Sequence, residues 1–141
     1  MTLIVDASAL YGQADRHDPA HRAILGALDA ETGPLVVSQI VVAEADYMIL
    51  DRLGIDAELA FLDDLASRAF QVECLTPAEL QTAREIVARY RDLSIGVADA
   101  SLVVLSSRFR TRRIVTSDER HFRAITPLQG ESFTILPADG S

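Results

Sequence analysis

Three short runs of unbroken apolar residues, Leu3-Ile4-Val5, Leu35-Val36-Val37 and Ile114-Val115, restrict this chain more than any other feature. None alternates with polar residues, so each predicts a strand covered on both faces, the condition of a parallel sheet with helices above and below it. Helix signals fill the segments between them. Ala7 to Gln13 reads as one or two turns, and Asp18-Pro19 predicts the start of a helix whose apolar stripe is Ala20, Ile24, Ala27 and Leu28. Ser38 is placed to cap a helix over Gln39 to Arg52, closed by Gly54. A further helix is expected from Asp56 to Ala69, with Leu59, Leu62, Leu65 and Ala66 on its apolar side. Thr76-Pro77-Ala78-Glu79 is a capping box, opening a helix with Leu80, Ala83, Val87 and Tyr90. A nearly all-apolar helix follows from Val97 to Phe109, then a turn or short helix from Ser117 to Phe122. Phe70–Leu75 and Ser132–Leu136 bring the strands to about five. The pattern predicts one α/β domain over residues 1–136, with a mostly parallel sheet, helices on both faces and a tail, 137–141, that frays.

The formal net charge of −8 over 141 residues argues against a polyanion binder held by bulk charge, but not against an enzyme whose acids hold a cation. All thirteen basic residues are arginine. No apolar run reaches the roughly 18 residues of a membrane helix, the amino end lacks a signal-peptide pattern, and the single cysteine, Cys74, has no internal partner. A cytoplasmic protein is expected, with Cys74 as a small strand hydrophobe alternating with Val72.

Four acids stand where local structure does not require them. Asp6 ends the first strand and Asp118 follows the strand Ile114-Val115-Thr116. Asp99 begins the most apolar helix, and Glu44 shares a helical face with Ile40, Val41, Tyr47 and Met48, while Asp46 falls on the solvated side. Each has an ordinary explanation: Asp6 and Asp118 as helix caps, Asp99 as an acid favoured by a helix dipole, Glu44 as half of an ion pair. Together they converge on the carboxyl edge of a parallel sheet, where ligands of such folds collect. Carboxylates about 4 Å apart repel by roughly 4 kcal/mol at an effective dielectric near 20, so the cluster requires a cation. Oxygen ligands without histidine or cysteine select Mg²⁺, with Mn²⁺ able to substitute.

The order Ile4-Val5-Asp6-Ala7-Ser8, Val42-Ala43-Glu44, Ala98-Asp99-Ala100 and Ile114-Val115-Thr116-Ser117-Asp118-Glu119-Arg120-His121-Phe122 resembles a PIN domain, in particular the VapC toxins of toxin–antitoxin pairs. The resemblance runs from Leu3 to about Leu136; residues 54–93 carry no signature of it. It implies a Mg²⁺-dependent endoribonuclease that hydrolyses phosphodiester bonds with metal-activated water, leaving a 5′-phosphate and a 3′-hydroxyl. Asp6 and Asp99 would be direct ligands, with Asp118 next and Glu44 acting partly through water. Ser8 and Thr116 match positions whose hydroxyls bond to those carboxylates or to substrate. The implied partners are an RNA substrate, a second copy in a homodimer, and a cognate VapB-type antitoxin through which any DNA contact is made. The alternative is a catalytically silent PIN-like module that binds RNA or protein.

The arginines of 108–123 admit two readings, phosphate holders beside Asp118, foremost Arg112, Arg113 and Arg120, or a solvated helix end. His17 and His21 are read as surface residues, His121 as part of the turn rather than a general base, and Phe122 as a core plug. Receiver domains, haloacid-dehalogenase-type phosphatases and Walker-type nucleotide binders each need a lysine that this chain lacks.

Overall fold

In the structure, a computed structural model describing residues 1–140, β1 (Leu3–Val5) lies at the centre of a five-stranded sheet and all three of its residues are buried. The other strands are β2 (Leu35–Ser38), β3 (Gln71–Glu73), β4 (Arg113–Val115) and β5 (Thr134–Leu136), in the order β3-β2-β1-β4-β5. Every pairing is parallel, so the expected mostly parallel sheet is wholly so. The helices are α1 (Ala7–Ala14), α2 (His21–Ala30), α3 (Gln39–Leu53), α4 (Ile55–Ala66), α5 (Pro77–Arg89), α6 (Val97–Arg108) and α7 (Glu119–Ala124), with a 3₁₀ turn at Arg91–Leu93.

The chain moves outward from β1 to β3 and then returns to lay β4 beside β1. Right-handed crossovers in opposite directions put helices on both faces. The reversal also opens a crevice at the carboxyl ends of β1 and β4, the topological switch point of the sheet. Asp6 is the residue after β1 and Thr116 the residue after β4. The core is built from Leu3, Ile4, Val36, Leu102, Leu105 and Ile114, each fully buried, so sheet and α6 share one interior.

Several local expectations are corrected. The helix expected at Asp18-Pro19 begins at His21, because Asp18 accepts the Ala20 N–H on its carboxylate and the His21 N–H on its carbonyl, closing a separate turn first. α4 starts at Ile55 and stops at Ala66. Its end is a Schellman motif made without glycine: Arg68 takes φ 67°, the Ala69 N–H reaches the Asp64 carbonyl, and the Arg68 N–H reaches that of Leu65. Phe61 is the residue α4 buries, flanked by half-buried Ala57 and Leu65, while Leu59 (52 % exposed) and Leu62 (42 %) lie outside the contact. On α5 the buried pair is Ala83 and Ile86, and Leu80 is exposed. Cys74 lies just beyond β3 and is exposed rather than packed.

The capping box at Thr76 and Glu79 forms as expected, and Arg108 extends it. From the end of α6, Arg108 Nη1 reaches Glu73 at 2.7 Å, Nε and Nη2 reach Glu79 at 2.9 and 2.6 Å, and Nη2 also meets the Cys74 carbonyl. The hydrogen-bonded guanidinium holds the Glu79 carboxyl down at about 2. This clamp joins β3, α5 and α6, so Arg108→Ala should destabilise the fold at neutral pH by about 1.5–3 kcal/mol, the scale of charged hydrogen bonds. A depressed carboxylate stabilises above its unfolded value, near 4.3, and loses that contribution as pH falls toward 2. Urea unfolding at pH 7 and pH 3 should therefore show a smaller difference between variant and wild type at the lower pH.

The tail expected to fray has defined contacts through residue 140, and Ser141 lies outside the described residues. Asp139 accepts the Ile135 N–H on its carboxylate, donates its own N–H to the Ile135 carbonyl, and pairs with Arg123. Phe122 is the core plug expected, meeting Phe133 edge to face at 5.7 Å.

Candidate metal centre

The centre is founded on the β1–β4 pairing. Ile4 stands opposite Ile114 and Val5 opposite Val115, and the Asp6 N–H continues the ladder to the Val115 carbonyl. Asp6 and Thr116 are therefore level at the sheet edge, Asp6 only 5 % exposed and Thr116 1 %. Asp6 occupies the N-cap position of α1, yet its side chain makes no capping bond, so the helix-cap explanation of this acid fails. Its Oδ2 instead accepts the Thr116 hydroxyl at 2.7 Å and the Ser8 hydroxyl at 3.0 Å.

A hydroxyl has one proton to give and two lone pairs to fill. Ser8 and Thr116 give theirs to Asp6, and the backbone fills the other side: the Ser117 N–H donates to Ser8 Oγ and the Asp118 N–H to Thr116 Oγ1, each at 3.0 Å. The turn after β4 thus feeds two peptide dipoles through two hydroxyls into one carboxylate oxygen, and Oδ1 is left without a side-chain donor. Burial nevertheless pushes the Asp6 carboxyl above the usual carboxylate range, with the charge of Asp99 adding to it and the two hydroxyls opposing it.

Asp99 reaches the edge because α6 packs over β1 and β2 with its first turn at their carboxyl ends. A buried serine pair fixes that placement. Ser38, which caps α3 through the Val41 N–H, meets Ser101 of α6 at 2.7 Å, and Ser101 donates to the Ala98 carbonyl. The same joint orients the start of α3, which carries Glu44. Glu44 is on the exposed side of α3, but partial withdrawal from water, then the charges of Asp6 and Asp99, raise its carboxyl above its ordinary value. Asp46 is not simply solvated: one of its oxygens is buried without a partner, and Glu58 of α4 stands beside it, pushed up by bonding to it.

Asp6, Glu44 and Asp99 are therefore near enough to repel one another. Asp118 is at the N-cap of α7, exposed, and makes no capping bond; its backbone, rather than its carboxylate, joins the network at Thr116. Among the described residues, no three acid, histidine or cysteine side chains stand close enough to hold a metal ion as placed. The donor set suits a hydrated cation, because oxygen-only carboxylates whose Oδ1 atoms take no side-chain bond can bind an ion that keeps several of its waters.

The arginine stretch does not gather at this edge. Arg113 begins β4, at the opposite end of the strand from Thr116, and pairs with Glu31; Arg112 pairs with Glu131. Their expected role as phosphate holders is corrected by the strand direction and by these partners. Arg108 and Arg123 are likewise committed to acids. Arg120, beside Asp118, is exposed and forms no ion pair among the described residues. Histidines 17 and 21 form no site together: His17 is exposed and His21 bonds the Gly12 carbonyl.

The sequence leaves one participant unremarked, Ser101, and offers another, His121, only as part of its turn. Ser101 was visible as a polar residue inside the run Ala98 to Leu105, a position that needs a buried partner. His121 contacts Asp99, Nδ1 to Oδ2 at 2.7 Å, and no sequence spacing announces a pair 22 residues apart.

The PIN domain family profile matches residues 3–126, which contain all four acids. This chain belongs to the PIN domain family. Within that family it is of the VapC type, being 46 % identical over 135 residues to Ribonuclease VapC26 of Mycobacterium tuberculosis (strain ATCC 25618 / H37Rv), a match covering 96 % of this chain and 100 % of the relative. Two solved structures share its fold at 19 % identity. M. tuberculosis VapC20, a sarcin–ricin loop cleaving toxin, superposes with a TM-score of 0.74 over 79 % of this chain and 86 % of its own. VapBC2 from Rickettsia felis, bound to a DNA fragment from its promoter, gives 0.67 over 91 % and 96 %. Among the described residues, no helix is long and apolar enough to cross a membrane.

Proposed function

We propose that this VapC-type PIN domain is a divalent-cation-dependent endoribonuclease, the toxin of a toxin–antitoxin pair, with Mg²⁺ as its ion and Mn²⁺ as a working substitute. The observation that carries the proposal is the placement of Asp6, 5 % exposed at the sheet edge with one oxygen bonded by Ser8 and Thr116 and the Asp99 carboxylate near enough to repel it, an arrangement that one cation would relieve. The 46 % identity to a named ribonuclease supports RNA as the substrate. The VapBC likeness supports a VapB-type antitoxin as partner, with DNA contacted through that partner. A homodimer in the cytoplasm completes the reading.

When bound, the cation supplies a water acidic enough to attack a phosphodiester near neutral pH and offsets charge on the phosphate. The chain's own residues do the rest. Asp6 and Asp99 would hold the ion through the oxygens their neighbours leave free, while Ser8 and Thr116 hold Asp6 in one rotamer. Glu44 and Asp118 would act at longer range, through water. Arg120, exposed and without an ion pair among the described residues, would meet a phosphate of the RNA.

Purified protein without antitoxin should cut structured RNA into fragments with 5′-phosphate ends in Mg²⁺ or Mn²⁺, and not with excess chelator. Cutting that survives the chelator, or a folded Asp99→Asn protein that cuts as wild type does, would overturn the proposal. RNA bound but uncut by wild type in Mg²⁺ would favour a silent module.

A further inference from the structure

We propose that His121 is a positioning residue for the cation, acting through Asp99; the inference rests on the metal-centre reading above. Nδ1 of His121 lies 2.7 Å from Asp99 Oδ2, with the two side chains 23 % and 18 % exposed. An ionised carboxylate only accepts, so Nδ1 carries the proton and donates it. This repeats on Asp99 what Thr116 and Ser8 do on Asp6: one oxygen is taken by a protein donor and the other is left for the ion. On both carboxylates one oxygen is thereby left for an ion, an arrangement that would suit single-oxygen ligation of a small cation that keeps several of its waters.

The donor is a fixed one. α7 has only six residues, but its two positions after His121 are anchored. Phe122 is buried against Phe133, and Arg123 is tied to Glu119 and Asp139. The imidazole is therefore presented to Asp99 by a braced turn rather than by a free surface side chain.

Outer hydrogen-bond partners of metal ligands typically change affinity by about 10–100-fold when removed. Mn²⁺ binding to the full chain, read as loss of the free-ion signal in electron paramagnetic resonance, tests this without any cleavage assay. His121→Ala should raise the dissociation constant about tenfold or more. His121→Asn, whose amide N–H sits at the same distance from the backbone as Nδ1–H, should stay within about threefold of wild type. Circular dichroism and thermal melts confirm that each variant is folded at the titration temperature. Three results would overturn the assignment: unchanged affinity in His121→Ala, equal weakening in His121→Ala and His121→Asn, or tighter binding in His121→Ala, which would make the histidine a competitor of the ion. Asp6→Asn separates this inference from its foundation. If wild type takes up no Mn²⁺, or Asp6→Asn takes it up equally, the metal centre itself falls and the role of His121 with it.

Discussion

Asp6→Asn should abolish RNA cleavage and, in the absence of divalent ions, raise the melting temperature. The loss of activity should be on the order of 100-fold or more, since outer partners of a ligand already cost up to about that much. The gain in stability has a separate origin. Asp6 is nearly buried, and two hydroxyl bonds only partly offset the removal of its charge from water. Asparagine keeps an oxygen for Thr116 and Ser8 while removing that charge, so a rise of a few degrees is expected, at about 2–4 °C per kcal/mol for a domain near this size. The pH dependence follows from the direction of the shift. A carboxyl raised in the folded state binds its proton more tightly there, so its destabilising effect is absent below its unfolded value of about 4 and grows as pH rises through the folded one. The advantage of the variant should be greatest at pH 7–8, shrink toward pH 4, and disappear at pH 7 once saturating Mg²⁺ stabilises wild type alone. Scanning fluorimetry across pH, with and without Mg²⁺, measures all of this; a variant that melts below wild type at pH 7 without metal would refute it.

Thr116→Val should have the opposite effect on stability. Its hydroxyl is the closest donor to Asp6, accepts the Asp118 N–H, and is 1 % exposed. Valine fills nearly the same volume but leaves a buried carboxylate with Ser8 alone and a peptide N–H without its acceptor. A destabilisation of about 1.5–3 kcal/mol follows from one charged hydrogen bond lost, and cleavage should fall about 10–100-fold as Asp6 loses its fixed rotamer. Thr116→Ser restores the hydroxyl and should recover most of both. Chemical denaturation with single-turnover cleavage gives the two numbers, and a valine variant as stable and active as wild type would show that the hydroxyl is dispensable.

The elements of this fold were legible because their signals are local. Runs such as Leu3-Ile4-Val5, the Thr76 capping box and the apolar length of α6 each fix a structure without reference to the rest of the chain. The acids at the edge followed from them, since a residue after a parallel strand has only one place to be. What failed depended on partners far away in sequence. Leu59 and Leu62 fit a helical stripe, but α4 turns Phe61 inward instead. Arg112 and Arg113 looked like neighbours of Asp118 along the chain, yet β4 carries them to the other end of the sheet, beside Glu131 and Glu31. The motif around His121 carries no sign of its contact with Asp99, which is set by how α7 meets α6.

The Asp139 turn has a consequence for how this protein behaves at high concentration. β5 is a sheet edge, and Ile135 is the strand residue whose peptide groups face away from β4. Both of those groups are already bonded to Asp139, and Arg123 lies behind the carboxylate. A second molecule arriving along this side finds no open ladder to extend, only a saturated peptide and a formed ion pair. Strand-to-strand stacking through β5 is closed off by the chain itself, so self-association on that flank has to use something other than strand pairing.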